Sequence, residues 1–254
     1  MSSFDKVEAA PRRVMTLIFL VDTSGSMEGE KMGQVNDTIE NILPEIGEIS
    51  STNADAEIKI AVLEFSSGIE WMYPEPISAE DFTWQNLEAG GLTSMGEAFK
   101  ELNTKLSQTT GFMKEAAGSF APAIIMLSDG EPTQEYKHAL EKLKANNWFK
   151  AAIKVAISIG DDGNKDILVD FTGTKEAVYT VHNREQLKKI IRFVSVTASQ
   201  VASSHSSVGK EAPTTKQEEF VDKMNDADNT SDTFDGVDIG DETTNAGTDD
   251  WGTF

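Results

Sequence analysis

Val14–Met27, VMTLIFLVDTSGSM, changes character at a single residue. From Val14 to Val21 the side chains are apolar or nearly so; Asp22 ends the run, and short oxygen-bearing side chains follow it. An unbroken apolar run of this length predicts a strand covered on both faces, as in a parallel sheet flanked by helices. Arg12-Arg13 before the run gives it a passing likeness to a signal peptide, but no small-residue cleavage pattern follows. The run is also far shorter than the roughly 20 residues that span a bilayer.

Working outward, the same punctuation recurs. Residues 31–49 place Met32, Val35, Ile39, Ile42, Ile46 and Ile49 at helical spacing, with Pro44 expected to kink that helix or end its first part. Glu57–Phe65 reads as a second strand and Glu70–Met72 as a short edge strand, followed by a loop-rich stretch to 92. Residues 94–107 read as a helix and Ala121–Ser128 as an apolar strand ending at Asp129-Gly130. A helix over 134–146 stops at Asn146-Asn147, and Ala151–Ile159 is a further strand. A helix over 164–172, a strand Ala177–Val181 and a helix over 184–202 complete the series. Strands alternating with helices predict an α/β fold: a doubly wound, mostly parallel sheet with helices on both faces.

The 254 residues include 43 acids against 22 bases, a net charge of −21, and no cysteine. Absence of cysteine excludes disulfides and thiol chemistry and makes the cytoplasm the expected compartment. The acidity excludes broad nucleic-acid binding. Residues 205–254 hold thirteen of the acids and three of the bases and are poor in apolar side chains. Three parts are therefore expected: a loose N-terminus over 1–12, one domain over 13–204, and an acidic, largely disordered tail over 205–254. No stretch is long enough to predict a membrane span.

In a parallel α/β sheet, ligands bind outside the carboxyl ends of the strands. There the sequence places Asp22-Thr-Ser24-Gly-Ser26 after the first strand and Asp129-Gly130 after Ala121–Ser128, with Gly90-Gly-Leu-Thr93-Ser between them. On an extended backbone Asp22, Ser24 and Ser26 point to one side. Short oxygen donors without histidine or cysteine favour Mg²⁺, which takes oxygen ligands at about 2.1 Å, over zinc.

Asp22-x-Ser24-x-Ser26, Thr93 and Asp129 together resemble the metal-ion-dependent adhesion site of von Willebrand factor type A domains, and the resemblance covers about residues 13–202. The stretches DTSGSM, AGGLTSMGEAF and LSDGEPT are further similar to bacterial intracellular members tied to tellurite-resistance and stress-response operons. The resemblance implies that Ser24 and Ser26, and Thr93 when the site is open, ligate Mg²⁺ (Mn²⁺ as a substitute) through their hydroxyls. It implies that Asp22 and Asp129 act through coordinated waters, and that a partner's Asp or Glu completes the shell. It also implies a neighbouring Ser/Thr kinase and a phosphatase as partners, and coupling of the metal site to the helix at 184–202.

Other readings of these residues are weaker. DTSGS and Thr93 could serve as helix caps and Asp129-Gly130 as a turn, but all three then fall at strand ends by coincidence. DTSG lacks the Asp-Thr-Gly of aspartic proteases because Ser24 intervenes, and Gly91–Gly96 is followed by Glu97-Ala98 where a phosphate-binding loop needs Lys and Ser/Thr. His138, His182 and His205 have no evident Ser and Asp set around them, and Asp161–Asn164 reads as a turn and helix cap rather than a calcium loop. In the tail, Gln217–Met224 could form one or two helical turns with Phe220, Val221 and Met224 on one face. Trp251 and Phe254 could anchor a short linear motif, and Thr230, Thr233, Thr243, Thr244, Thr248 and Thr253 are candidate phosphorylation sites. The expected function is a Mg²⁺-dependent protein-binding module rather than an enzyme. The alternatives are a metal-dependent hydrolase, which lacks a general base beyond the ligands, and an accessory subunit of a chelatase or other AAA+ ATPase.

Overall fold

The computed structural model of the protein describes residues 12–114, 116–130, 135–160, 164–203, 215–230, 234 and 237–240. The apolar run is β1 (Arg13–Asp22), and its alternation divides two cores. Met15, Leu17, Phe19 and Val21 point into one, Ile18 and Leu20 into the other. A strand buried on both faces has no polar side to alternate with, which is why the run is continuous.

β1 pairs in parallel with β2 (Ala56–Phe65) on one side and β5 (Ala123–Ser128) on the other. β6 (Ile153–Ile159) and β7 (Val178–Val181) continue the parallel sheet. Three short strands are antiparallel: β3 (Ile69–Trp71) and β4 (Ile77–Ser78) pair with β2, and β8 (Asp238–Ile239) with β7. The order is β3-β2-β1-β5-β6-β7-β8, with β4 beside β2. One face packs α1 (Glu30–Thr52), α6 (Arg184–Ser203) and α7 (Lys216–Thr230); the other packs α2 (Met95–Lys105), α3 (Lys137–Ala145), α4 (Asn147–Ala151) and α5 (Lys165–Thr172). This is the doubly wound α/β fold expected. The chain leaves β1 for β2 on one side and later resumes at β5 on the other. The direction of winding therefore reverses between β1 and β5, which opens a crevice outside their carboxyl ends.

Four features differ from the sequence reading. Pro44 lies within a single helix of 23 residues. It forfeits one backbone bond, and burial of Ile39, Ile42, Leu43 and Ile46 around it holds the helix together. Asn146 does more than stop α3: its side chain accepts from Trp148 N and Phe149 N and so starts α4. β4 and β8, two residues each, carry no periodic signal. Finally, the tail, expected to be largely loose with one or two helical turns at Gln217–Met224, forms the longer α7; Phe220 and Met224 are buried in the main core, with Val221 packed against it and Phe234 beyond them. The remaining tail expectations, including Trp251, Phe254 and the threonines from 233 onward, lie outside the described residues, as do 1–11.

Candidate metal centre

Asp22 is the last residue of β1 and is fully buried. Its Oδ1 accepts from Ser24 N at 2.9 Å and its Oδ2 from the Ser128 hydroxyl at 2.6 Å. Parallel register explains the second bond: Val21 lies opposite Leu127, so the next residues on each strand are neighbours. Ser128 Oγ in turn accepts from Gly130 N at 2.9 Å, which ties the loop after β5 to the Asp22 carboxylate.

Ser24 is extended, at φ −69° and ψ 168°, but Gly25–Met27 form a 3-10 turn. The expected extended strip thus ends at Ser24, and it is the turn that brings the exposed Ser26 hydroxyl within 3.1 Å of the Ser24 hydroxyl. Ser24 makes no side-chain cap bond to the turn it precedes, so the capping reading of DTSGS gains no bond from this serine.

The loop carrying Thr93 is held against the first by backbone bonds, Gly90 N to Thr23 O at 2.8 Å and Gly25 N to Gly91 O at 3.1 Å. On its other side Ser94 N donates to Ser66 O at 2.8 Å, and Leu92 N to the Ser67 hydroxyl at 3.0 Å. Gly91, at φ +86°, has to be glycine here: a β-carbon would lie 2.4 Å from Ser67 Oγ. Thr93 is buried in this arrangement, while Leu92 beside it is 55% exposed. The only other exposed large hydrophobic among the described residues, Ile69, begins the strand just past Ser67.

Asp129 follows β5, across the crevice from Asp22. Its Oδ2 receives the Lys31 ammonium at 3.5 Å, and its buried Oδ1 has no hydrogen-bond partner among the described residues. Gly130 lets the loop turn away at φ +82°, where a β-carbon would lie 2.8 Å from Asn164 O. Burial pushes the Asp22 carboxyl above the ordinary aspartate range; bonds from Ser128 and Ser24 oppose the rise, and the charge of Asp129 adds to it. Two buried carboxylates with three hydroxyls form a donor set of oxygen alone, suited to a hard divalent cation. The orphaned Asp129 oxygen and the nearby ammonium mark a place where positive charge is favourable.

All five expected residues therefore gather on the loops of one sheet edge. Lys31, Ser128 and Leu92 also belong there and were not singled out from sequence; the strand register that sets Ser128 beside Asp22 is supplied only by the fold. The histidines lie elsewhere. His138 is on the exposed side of α3, and His182 meets Asp238 at 3.3 Å across β7 and β8. Asn164 caps α5 through Asp166 N, and residues 161–163 lie outside the described residues. Among the described residues no helix is long and apolar enough to cross a membrane.

Residues 16–193 match the family model described as von Willebrand factor type A domain. The mouse (Mus musculus) collagen alpha-6(VI) chain is 24% identical over 183 residues, which are 68% of this chain and 7% of that one. Among solved structures, a von Willebrand factor type A protein from Catenulispora acidiphila is similar at TM-score 0.54 and 17% identity, over 74% of this chain and 43% of that one. Proximal thread matrix protein 1 from the mussel byssus, with a zinc-occupied adhesion-site motif, gives TM-score 0.52 and 19% identity over 73% of this chain and 49% of that one. The pilus adhesin SpaC from Lactobacillus rhamnosus GG gives 0.57 and 14% over 75% and 30%. The chain thus spans less than half of these solved chains and a small part of the collagen chain. At such identities the structural likeness speaks for the fold, and the family match carries the rest: with most of its length under that match, the chain belongs to the von Willebrand factor type A domain family.

Proposed function

We propose that this chain is a metal-dependent protein-binding module whose site is Asp22, Ser24, Ser26, Thr93 and Asp129. The observation that carries the reading is the Asp129 carboxylate, buried with an Oδ1 that has no hydrogen-bond partner among the described residues, near a second buried carboxylate, Asp22, that is pushed up first by burial and least by the charge of Asp129. Carboxylates held out of water favour a cation. Type A domains commonly use such a site for metal-dependent protein interaction. Ser24, Ser26 and Thr93 would offer hydroxyls to Mg²⁺, or to Mn²⁺, with Asp22 and Asp129 acting through coordinated waters. When bound, the metal supplies positive charge on a strongly acidic molecule, and a partner's Asp or Glu is its counterpart. Leu92 and Ile69, exposed at the same edge, offer that partner an apolar contact beside the charge. With the hydroxyls and carboxylates taken up as metal ligands, none of them would serve as a general base, which supports binding rather than turnover.

The setting we propose, a bacterial cytoplasmic stress-response system of the tellurite-resistance type with a Ser/Thr kinase and phosphatase acting on the acidic tail, rests on the sequence resemblance. Calorimetric titration with MgCl₂ and MnCl₂ tests the site. We expect saturable binding to the wild type and loss in Asp129→Ala and Ser26→Ala, with unchanged far-UV circular dichroism. Arrayed peptides containing Asp or Glu should then bind with Mg²⁺ and release with EDTA. Equal metal heats in wild type and variants, or turnover of phosphoesters, would overturn the reading.

A further inference from the structure

We infer that Lys31 is the resident counter-cation of this site and competes with a divalent metal for Asp129, so that it sets how tightly the metal is held; this rests on the metal-site reading above. Lys31 stands in the first turn of α1, immediately after the loop that carries Ser24 and Ser26. Its ammonium lies 3.5 Å from Asp129 Oδ2, with the side chain 20% exposed against 3% for the aspartate. The stem crosses the end of β6 at Gly160, where a β-carbon would be 3.5 Å from Lys31 Cε. Lys31 thus bridges the ends of two strands above the crevice. Among the described residues no other ion pair reaches Asp22 or Asp129.

This arrangement offsets part of the charge without metal. Asp22 and Asp129 are both buried, and one ammonium reaches Asp129. It is also reversible. The contact is long for an ion pair, and a lysine head on a flexible four-carbon stem can swing out to water. An ammonium donates hydrogen bonds to the oxygens a metal would draw on, and a divalent ion repels it. Metal entry therefore includes the work of displacing Lys31, which lowers affinity. A lysine that merely braced Asp129 for the metal would have the opposite effect: its removal would weaken binding.

The test is calorimetric titration of the full chain with MgCl₂ and MnCl₂, comparing wild type, Lys31→Gln, Lys31→Arg and a remote control, Lys188→Gln, whose ammonium pairs with Glu45 at 3.5 Å. Lys31→Gln should bind about tenfold more tightly, the scale set by one unit charge a few ångströms away in a partly screened site. Lys31→Arg and Lys188→Gln should stay near wild type. Without metal, Lys31→Gln should melt below the wild type; at saturating metal the two should coincide. Equal or weaker binding by Lys31→Gln, or an equal gain in Lys188→Gln, overturns the proposal and leaves the metal site standing. Binding by Lys31→Gln alone supports it. Absence of binding in every variant overturns both the metal site and the competition.

Discussion

Lys154 shows how one buried charge leaves a signature in pH. It lies on β6, buried, with its ammonium donating to Phe149 O at 3.1 Å and Ala152 O at 2.7 Å and resting 5.2 Å from the Phe149 ring centroid. Burial pushes its pKa down from 10.5 to about 8. Below pH 8 folded and unfolded chains both carry the proton, and the fold bears the full cost of the buried charge. Between about 8 and 10.5 the folded chain releases the proton while the unfolded one keeps it, so stability rises with pH. The rise is on the order of 3 kcal/mol. Urea midpoints followed from pH 7 to 10.5 should show it in the wild type, and the slope should vanish in Lys154→Met. The metal site was far more legible than this lysine. Asp22, Ser24, Ser26, Thr93 and Asp129 are short oxygen donors in loops that follow apolar strands, and their types and positions agree. Lys31 and Ser128 carry no such mark. One is a lysine on an amphipathic helix, the other a serine closing a strand, and only three-dimensional placement against Asp129 and Asp22 gives them meaning.

The elements divide by whether their burial leaves a pattern. β1, β5 and β6 are predominantly apolar because both faces are covered, and α1 and α6 repeat every three to four residues. β4, β8 and α4 are too short for any period to accumulate. α7 was legible only in part: Phe220, Val221 and Met224 share one face, but the surrounding acids hid its length, and Phe220 and Met224, four residues apart, are the buried pair. Gln217 adds a clasp, its Oε1 accepting from Lys154 N at 2.6 Å and its Nε2 donating to Lys154 O at 3.0 Å. That clasp continues the hydrogen bonding of β6 short of Ala156, where pairing with β7 begins. Phe220→Ala should therefore lower stability by about 3–5 kcal/mol in urea unfolding, as for a large aromatic removed from a packed core. A midpoint equal to wild type would show that α7 contributes nothing to the fold.

At the scale of the whole molecule, the reversal of winding between β1 and β5 puts the carboxylates and hydroxyls on one edge of a molecule whose net charge is −21. The domain boundary was less legible than the fold, because composition reports how polar a segment is and not whether a few of its side chains find a core. β8 gives the chain a further property. β7 has only four residues, paired to β6 on one side; on the other, Tyr179 and Thr180 meet Ile239 and Asp238. Those two residues occupy backbone groups that any other strand could use, including the β7 of a second molecule. A chain ending at Thr230 keeps α7 but leaves that flank open. It should form concentration-dependent oligomers by light scattering while the full chain stays unchanged over the same range, and identical masses for the two would show that β8 has no such role. The short edge strand would then act as a guard against self-assembly, closing a flank on which a second copy of the chain could otherwise add a strand.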